Sequence, residues 1–321
     1  MTRIARAYTN IALIKYWGKK NKQLKLPYTN SLSLTLDRFY TDTKVEIINS
    51  DKDIVSLNNH LLDDSESQRV RNYLTTVRQM YSFEDHFKVD SINHVPTSAG
   101  FASSASGFAA LAAAVNETKN LQLNKRQLSI LARNGSGSAS RSIYGGFVEW
   151  IAGTDNDSSF AQPIDENPEI DLTLLSVVIN QRSKKISSTV GMENSVKSSP
   201  FYSNWVTLVS SEIKEIKQAI AQKDLQKIGE ISEHNAMSMH ALTLSANPSF
   251  TYFTPETIQI IQAIKELRQK GVFAYATIDA GPNVKIICTK ESIQKVQTYI
   301  EQQLSDVTTV VANIGHGIEY I

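Results

Sequence analysis

Apolar and polar positions recur along this chain with the periods of strands and helices. Alternating, β-branched segments predict half-buried strands at 43–49 and 87–92, and continuous apolar runs predict buried strands that end at Lys15 and cover 172–180. Further strands are predicted at 147–150, 273–278, 284–289 and 308–311. Helical spacing of apolar residues predicts helices at 69–80, 107–115, 125–133, 205–222, 225–241, 256–270 and 292–304. The segment 153–168, rich in Asp, Asn and Ser, predicts an exposed loop.

Length and element order together predict two domains. A chain of 321 residues with 41% hydrophobic content can bury a large core and divide. From 256 onward, a helix, two strands, a helix and a strand form a compact unit of mixed structure. We therefore expect an α+β fold with domains at residues 1–180 and 181–321.

Charge and cysteine content exclude several classes of function. The 33 basic and 32 acidic residues give a formal net charge of +1, without the clustered positive charge that coating nucleic acid or an anionic membrane requires. The single Cys288 excludes an internal disulfide and a cysteine-rich zinc site, and suits a reducing compartment. Neither a signal peptide nor a transmembrane-length apolar run is evident. We expect a soluble, cytoplasmic protein that binds neither nucleic acid nor membrane.

A run of small residues precedes the apolar helix predicted at 107–115. It reads Pro96-Thr-Ser-Ala-Gly-Phe-Ala-Ser-Ser-Ala-Ser106. The unpaired N–H groups and positive dipole end of a helix attract anions, and Gly100 lets a phosphate approach the backbone closely. An ordinary serine N-cap is an equally good explanation of the same residues.

Other familiar phosphate and metal motifs are absent from the sequence. The Gly18-Lys19 pair lacks the following Ser or Thr and the upstream glycine of a P-loop, and Ser140 replaces the last glycine of a dinucleotide fingerprint. The six histidines lack paired ligand spacing, and His240 on a helical face is expected to be a packed, hydrogen-bonded residue.

Three polar residues stand at positions where a cleft would use them. Lys15 follows an apolar strand and either snorkels to the surface or serves as a fixed cation. Arg141 lies in a glycine-bounded loop, where its guanidinium fork suits a carboxylate or phosphate. Asp279 ends a strand, and its alternative role is to form the turn itself. Together with the serine-rich loop they form a set suited to phosphate chemistry.

These segments resemble the GHMP kinase superfamily and, within it, the mevalonate diphosphate decarboxylases of bacterial type. The serine-rich loop is shared by the superfamily, whereas the segments 10–19, 135–146 and 279–283 are characteristic of the decarboxylase branch. With 239–241 and 250–252 also matching, the resemblance spans nearly the whole chain.

The resemblance implies a two-domain fold with the active site in the cleft between the domains. The N-terminal domain would resemble domain 2 of ribosomal protein S5, and the C-terminal domain would be ferredoxin-like. The implied reaction converts mevalonate 5-diphosphate and ATP to isopentenyl diphosphate, ADP, phosphate and CO2. A homodimer is expected on the same basis.

The resemblance also assigns roles to residues. Asp279 would be the base or positioning carboxylate at the C3 hydroxyl, Lys15 would neutralise it and keep it ionised, and Arg141 would orient the substrate carboxylate. The ATP-binding residues would be Ser91, Pro96, Gly100, Ala102, Ser103, Ser104 and Ser106, with Mg²⁺ at Ser104. The substrate-binding residues would be Tyr16, Lys19, Ser136, Ser138, Arg141 and Ser188.

One position departs from the family pattern. Members usually carry Arg directly after the serine that corresponds to Ser188, and here Thr189 takes its place. Loss of this cation should weaken diphosphate binding unless Lys184, Lys185 or another basic residue compensates. A phosphomevalonate decarboxylase therefore stays open as an alternative, as does a mevalonate-type kinase. The complete set of Lys15, Arg141 and Asp279 disfavours the kinase and a non-catalytic ligand sensor.

Overall fold

The computed structural model describes residues 3–94, 103–179, 186–304 and 306–321. The helices are α1 (Asp64–Tyr81), α2 (Ser103–Thr118), α3 (Lys125–Gly135), α4 (Ser188–Ser198), α5 (Tyr202–Ala221), α6 (Leu225–Leu244), α7 (Pro255–Gln269) and α8 (Ile293–Gln303), with a 3₁₀ helix at Gly137–Ile143. The strands are β1 (Ala5–Ile14), β2 (Lys19–Asn21), β3 (Leu26–Pro27), β4 (Ser31–Ile48), β5 (Ile54–Leu57), β6 (His60–Leu61), β7 (His86–Asn93), β8 (Phe147–Trp150), β9 (Ala161–Asp165), β10 (Thr173–Val178), β11 (Tyr275–Ile278), β12 (Val284–Cys288), β13 (Thr308–Ala312) and β14 (Glu319–Tyr320). Among these described helices, none is both long and apolar enough to cross a membrane.

A large sheet is built around β1 and the long strand β4. Its order is β14-β1-β4-β7-β5-β6, and β8 pairs with β4 and β9. The helix α2 packs on it through the buried run from Ala109 to Val115, in which five of the seven side chains are alanine. Because these side chains are short, the α2 backbone can lie close to β1 and β4, which positions the first turn of α2 beside the site.

A smaller antiparallel sheet has the order β11-β12-β10-β13. One core cluster joins it to α7 and α8, and the inward positions Ile260, Ile264 and Leu267 of α7 are buried as their helical spacing predicts. The adjacent Ile261 is only partly buried.

A third apolar cluster connects the two sheets through α5 and α6. It contains Ile11 of β1, Leu174 of β10, Ile287 of β12, Trp205 of α5 and Met239 of α6. The ends of β1 and β11 therefore meet beside α6, and the candidate site lies at this junction.

The structure differs from the sequence-based elements at several places. The loop predicted at 153–168 is wrong in part, because Ala161–Asp165 forms β9 and pairs with β8. Helix α4 was not predicted. The strand β10 precedes residue 180 yet pairs with β12, and β14 pairs with β1. Strand pairing thus crosses residue 180 at these two strands, since an apolar run does not reveal which sheet it joins, and the division into 1–180 and 181–321 stays a prediction.

Candidate active site

A cavity of about 500 Å³ lies where β1, the 3₁₀ helix, α4 and the turn after β11 converge. Residues separated by more than 260 positions meet in it. The predicted site residues that line it are Lys15, Tyr16, Lys19, Ser104, Ser136, Ser138, Arg141, Ser188 and Asp279.

Lys15 and Asp279 form an ion pair inside this cavity. Each directly follows the last residue of a strand, Lys15 after β1 and Asp279 after β11. Lys15 Nζ lies 2.8 Å from Asp279 Oδ1 and donates a second hydrogen bond, also 2.8 Å, to the carbonyl oxygen of Ala12. The lysine side chain is 2% exposed and the carboxylate 30%, so a ligand in the cavity reaches the carboxylate first. Burial lowers the pKa of Lys15, and the charge of Asp279 opposes that shift.

A buried polar network holds the main chain of Lys15 in place. Its N–H donates to Asn235 Oδ1 at 2.7 Å, and Asn235 Nδ2 donates to Glu212 Oε2 at 2.6 Å. His234 Nδ1 lies 2.7 Å from the other oxygen of Glu212. Sequence reasoning missed these residues. The available signal was Glu212 on the apolar face of α5, where a buried carboxylate needs a partner.

His240 lies beneath the ion pair. Its Nε2 is 3.3 Å from the carbonyl oxygen of Ile278, and its ring is tilted by 40° against that of Phe253, with 4.3 Å between centroids. Burial, together with the nearby charge of Lys15, lowers the pKa of His240 to about 3. The prediction of a packed, hydrogen-bonded histidine is therefore confirmed.

Arg141 is held on the 3₁₀ helix by neutral partners. Its Nη2 and Nε donate to Asn10 Oδ1 at 3.2 and 3.4 Å, and Nη1 donates to Ser31 Oγ. Asn10 is fixed in turn by donating to the Ser138 carbonyl oxygen at 3.0 Å and to Ser142 Oγ at 2.8 Å. Burial lowers the pKa of Arg141 to about 10, so the guanidinium stays charged at neutral pH. Sequence reasoning assigned Asn10 no role, although it lies within the first family segment.

Serine hydroxyls and one tyrosine complete the wall of the cavity. Ser136 Oγ lies 3.4 Å from Ser104 Oγ and 3.3 Å from Ser138 Oγ. The Tyr16 ring meets Trp150 edge-on at 4.8 Å between centroids. Its hydroxyl is buried and finds no hydrogen-bond partner among the described residues, and burial raises its pKa.

A second cavity of about 200 Å³ adjoins the first. The two share Ser104 and Arg69 in their linings. The second lining also includes Ser91, whose hydroxyl is 2.9 Å from that of Thr43, and the ring of Phe108. A polar cavity therefore opens into a less polar one at the start of α2, where helix N–H groups favour an anion.

Further residues are predicted from the sequence to bind ATP. Pro96, Gly100 and Ala102 fall outside the described residues, and Ser103 begins α2. Ser106 was predicted to bind ATP, yet its side chain is fully buried and its Oγ lies 2.8 Å from Thr41 Oγ1. This hydroxyl therefore faces Thr41 of β4, and its contact with ATP stays a prediction.

Two models of protein families match this chain. The model described as "Diphosphomevalonate decarboxylase-like N-terminal domain" matches residues 7–161, and that described as "Mevalonate 5-diphosphate decarboxylase C-terminal domain" matches 174–317. A diphosphomevalonate decarboxylase of Candida albicans is 33% identical over 94% of this chain and 88% of its own.

The chain belongs to the diphosphomevalonate decarboxylase family.

Solved structures agree with this membership. Mevalonate diphosphate decarboxylase from Staphylococcus aureus is 43% identical, with a TM-score of 0.96 over 99% of this chain and 97% of that one. The enzyme from Enterococcus faecalis is 44% identical, with a TM-score of 0.94 over 99% and 98%. The predicted two-domain GHMP kinase fold is thereby confirmed.

Thr189 stands at the position where the sequence resemblance implies an arginine. Its hydroxyl lies on the cavity wall, 3.4 Å from Lys19 Nζ. Lys25 and Arg69 line the same cavity. Lys184 and Lys185, suggested from the sequence as compensating cations, lie outside the described residues.

Proposed function

We propose that this chain catalyses the ATP-dependent decarboxylation of mevalonate 5-diphosphate to isopentenyl diphosphate, releasing ADP, phosphate and CO2. The observation that carries the proposal is the ion pair of Lys15 and Asp279, which shares one cavity with Arg141. A small-molecule kinase needs a phosphate cradle and a base. A buried guanidinium facing the same space adds a group suited to a substrate carboxylate.

Asp279 is the residue that positions and deprotonates the C3 hydroxyl. A tertiary alcohol is a weak nucleophile, so a carboxylate within reach of its proton and alignment with the γ-phosphate both matter. Lys15 donates to Asp279 and has little exposure of its own, so it acts by holding this carboxylate in place and balancing its charge.

Arg141 binds the carboxylate that leaves as CO2. Its hydrogen-bond partners Asn10 and Ser31 are uncharged, so the guanidinium is free of a direct ion pair with either of them and can pair with a carboxylate of the ligand. Once the C3 oxygen carries the phosphoryl group, the C–C bond to the carboxylate breaks, its electrons form the double bond, and phosphate departs from C3. An arginine that fixes the carboxylate aligns these two bonds.

The second cavity suits ATP, with its base among Phe108 and Ser91 and its phosphates at the N-terminus of α2. A relative 44% identical to this chain was solved in complex with MVAPP, AMPPCP and magnesium. Among the described residues no group of three His, Cys, Asp or Glu side chains could hold a metal. Ser104, which lines both cavities at the start of α2, would hold Mg²⁺, and the ion would neutralise phosphate charge.

A monophosphate substrate is the second candidate, and Thr189 is the observation that favours it. A phosphomevalonate decarboxylase of Haloferax volcanii is 27% identical over all of this chain. Lys19, Lys25 and Arg69 on the cavity wall favour the diphosphate, because they supply positive charge despite Thr189.

Turnover of a substrate panel tests the proposal. ADP formation and release of labelled CO2 are measured on mevalonate with no, one and two phosphates. The proposal predicts CO2 release with the highest kcat/KM on the diphosphate. ADP without CO2 would replace the decarboxylase with a kinase, and preference for the monophosphate would establish the second candidate.

Two further properties stay predictions from the family resemblance. Assembly as a homodimer is tested by light scattering of the purified protein, and a cytoplasmic location by fractionation of the source cells.

A further inference from the structure

Lys25 occupies an unusual place for an ordinary surface lysine. It lies in the turn between β2 and β3 with a left-handed backbone (φ 52°). Its side chain is directed inward, where Nζ donates to the carbonyl oxygen of Asn134 and lines the 500 Å³ cavity. A lysine on a turn normally extends into solvent, since its ammonium is strongly hydrated.

Positive groups surround Lys25. Burial, followed by the charges of Arg69, Lys19 and Arg133 in that order, lowers its pKa to about 8. Lys19 and Arg69 also have lowered pKa values, in both cases mainly because of burial. Several partly buried cations thus share one wall and repel one another. An anion with more than one negative charge would relieve this repulsion.

Thr189 marks the position where the family pattern places an arginine for the diphosphate. Here Thr189 Oγ1 contacts Lys19 Nζ at 3.4 Å. Thr189, Lys19 and Lys25 all line the same cavity, together with the hydroxyls of Ser136 and Ser138. The cation missing at 189 therefore has a counterpart in Lys25, which lines the same cavity from the turn between β2 and β3.

We propose that Lys25 binds the terminal phosphate of the diphosphate substrate and so replaces the arginine that Thr189 lacks. This inference rests on the proposed function, because it assumes that the diphosphate occupies this cavity. It makes Lys25 a determinant of preference for the diphosphate over the monophosphate, whose single phosphate is held by groups nearer the ion pair.

The test compares Lys25→Met with the unchanged protein on both substrates. Removing one charged hydrogen bond to phosphate should raise KM for the diphosphate about tenfold. KM for the monophosphate and kcat for both substrates should change less than threefold, which separates loss of a phosphate contact from general damage. Lys22→Met is the matched control, because Lys22 lies on the same turn but is 63% exposed and pairs with Glu193 at 2.9 Å. It should leave both KM values unchanged.

A rescue variant tests the exchange of cations. Lys25→Met combined with Thr189→Arg should recover at least half of the lost discrimination between the two substrates. Unchanged discrimination in Lys25→Met, with a melting temperature equal to that of the unchanged protein, would overturn the inference. Failure of the unchanged protein to release CO2 from the diphosphate would instead overturn the proposed function. Calorimetric binding of the diphosphate without ATP reports on Lys25 in either case.

Discussion

Replacing Asp279 with Asn isolates the role of the ion pair. The 2.8 Å separation from Lys15 corresponds to about 6 kcal/mol of attraction at an effective dielectric constant of about 20. Desolvation of the buried ammonium offsets part of this, so breaking the pair should cost about 3 kcal/mol of stability. The larger effect is on catalysis. Loss of a positioned base lowers rates by about 10²–10⁴-fold, and we expect about 10³-fold in kcat.

The assay is CO2 release at saturating substrates, with binding of an ATP analogue as the check of folding. Lys15→Met should reduce kcat by a similar factor. In the double variant kcat should fall less than a further tenfold, because removing either member of the pair already removes the contribution of both. Asp51→Asn, on an exposed turn, is the matched control and should retain full activity. More than a tenth of normal kcat in Asp279→Asn, or losses that multiply in the double variant, would refute this reasoning.

Three other substitutions or conditions give separate checks. Arg141→Lys keeps the charge but loses the planar fork, so kcat for CO2 release should fall about 10²-fold. The ratio of CO2 released to ADP formed is measured in the same assay. Gly137→Ala would place a Cβ 2.6 Å from the Trp150 ring, and should lower the free energy of unfolding by about 1–3 kcal/mol in urea titration. Lys25, whose pKa is lowered to about 8, is charged below that pH and loses its proton above it. The affinity for diphosphate, measured by calorimetry, should therefore fall as pH rises through about 8, and an unchanged affinity between pH 7 and 9 would contradict this.

The sequence predicted the charged groups that line the cavity better than the residues that hold those groups in position. Lys15, Arg141 and Asp279 were identifiable because each lies in a short segment with a characteristic neighbourhood, and the structure brings them into one cavity. Asn235 and Glu212, which hold the Lys15 backbone, were not predicted from the sequence. Their partner is more than 190 positions away in the chain, and spacing within a helix does not reveal which strand end a polar residue will meet.

The secondary structure shows the same difference between features set by local sequence and features set by distant contacts. Helix α7 was predictable because the spacing of its buried apolar residues and its capping residue, Thr254, are local features of the sequence. Strand β9 was not, since Asp, Asn and Ser upstream gave the whole of 153–168 the composition of a loop, and its burial comes from pairing with β8. Ser106 shows the limit for single hydroxyls, because composition alone does not indicate whether a helix turns a serine toward a ligand or toward Thr41.

The central claim is that phosphoryl transfer and loss of CO2 are coupled on one substrate in the cavity of Lys15, Arg141 and Asp279. The most direct measurement is the stoichiometry of ADP and CO2 formed from carboxyl-labelled mevalonate 5-diphosphate and ATP. We expect one CO2 for each ADP, with both products lost together in Asp279→Asn. ADP formed without CO2, or CO2 released at an undiminished rate by Asp279→Asn, would contradict it.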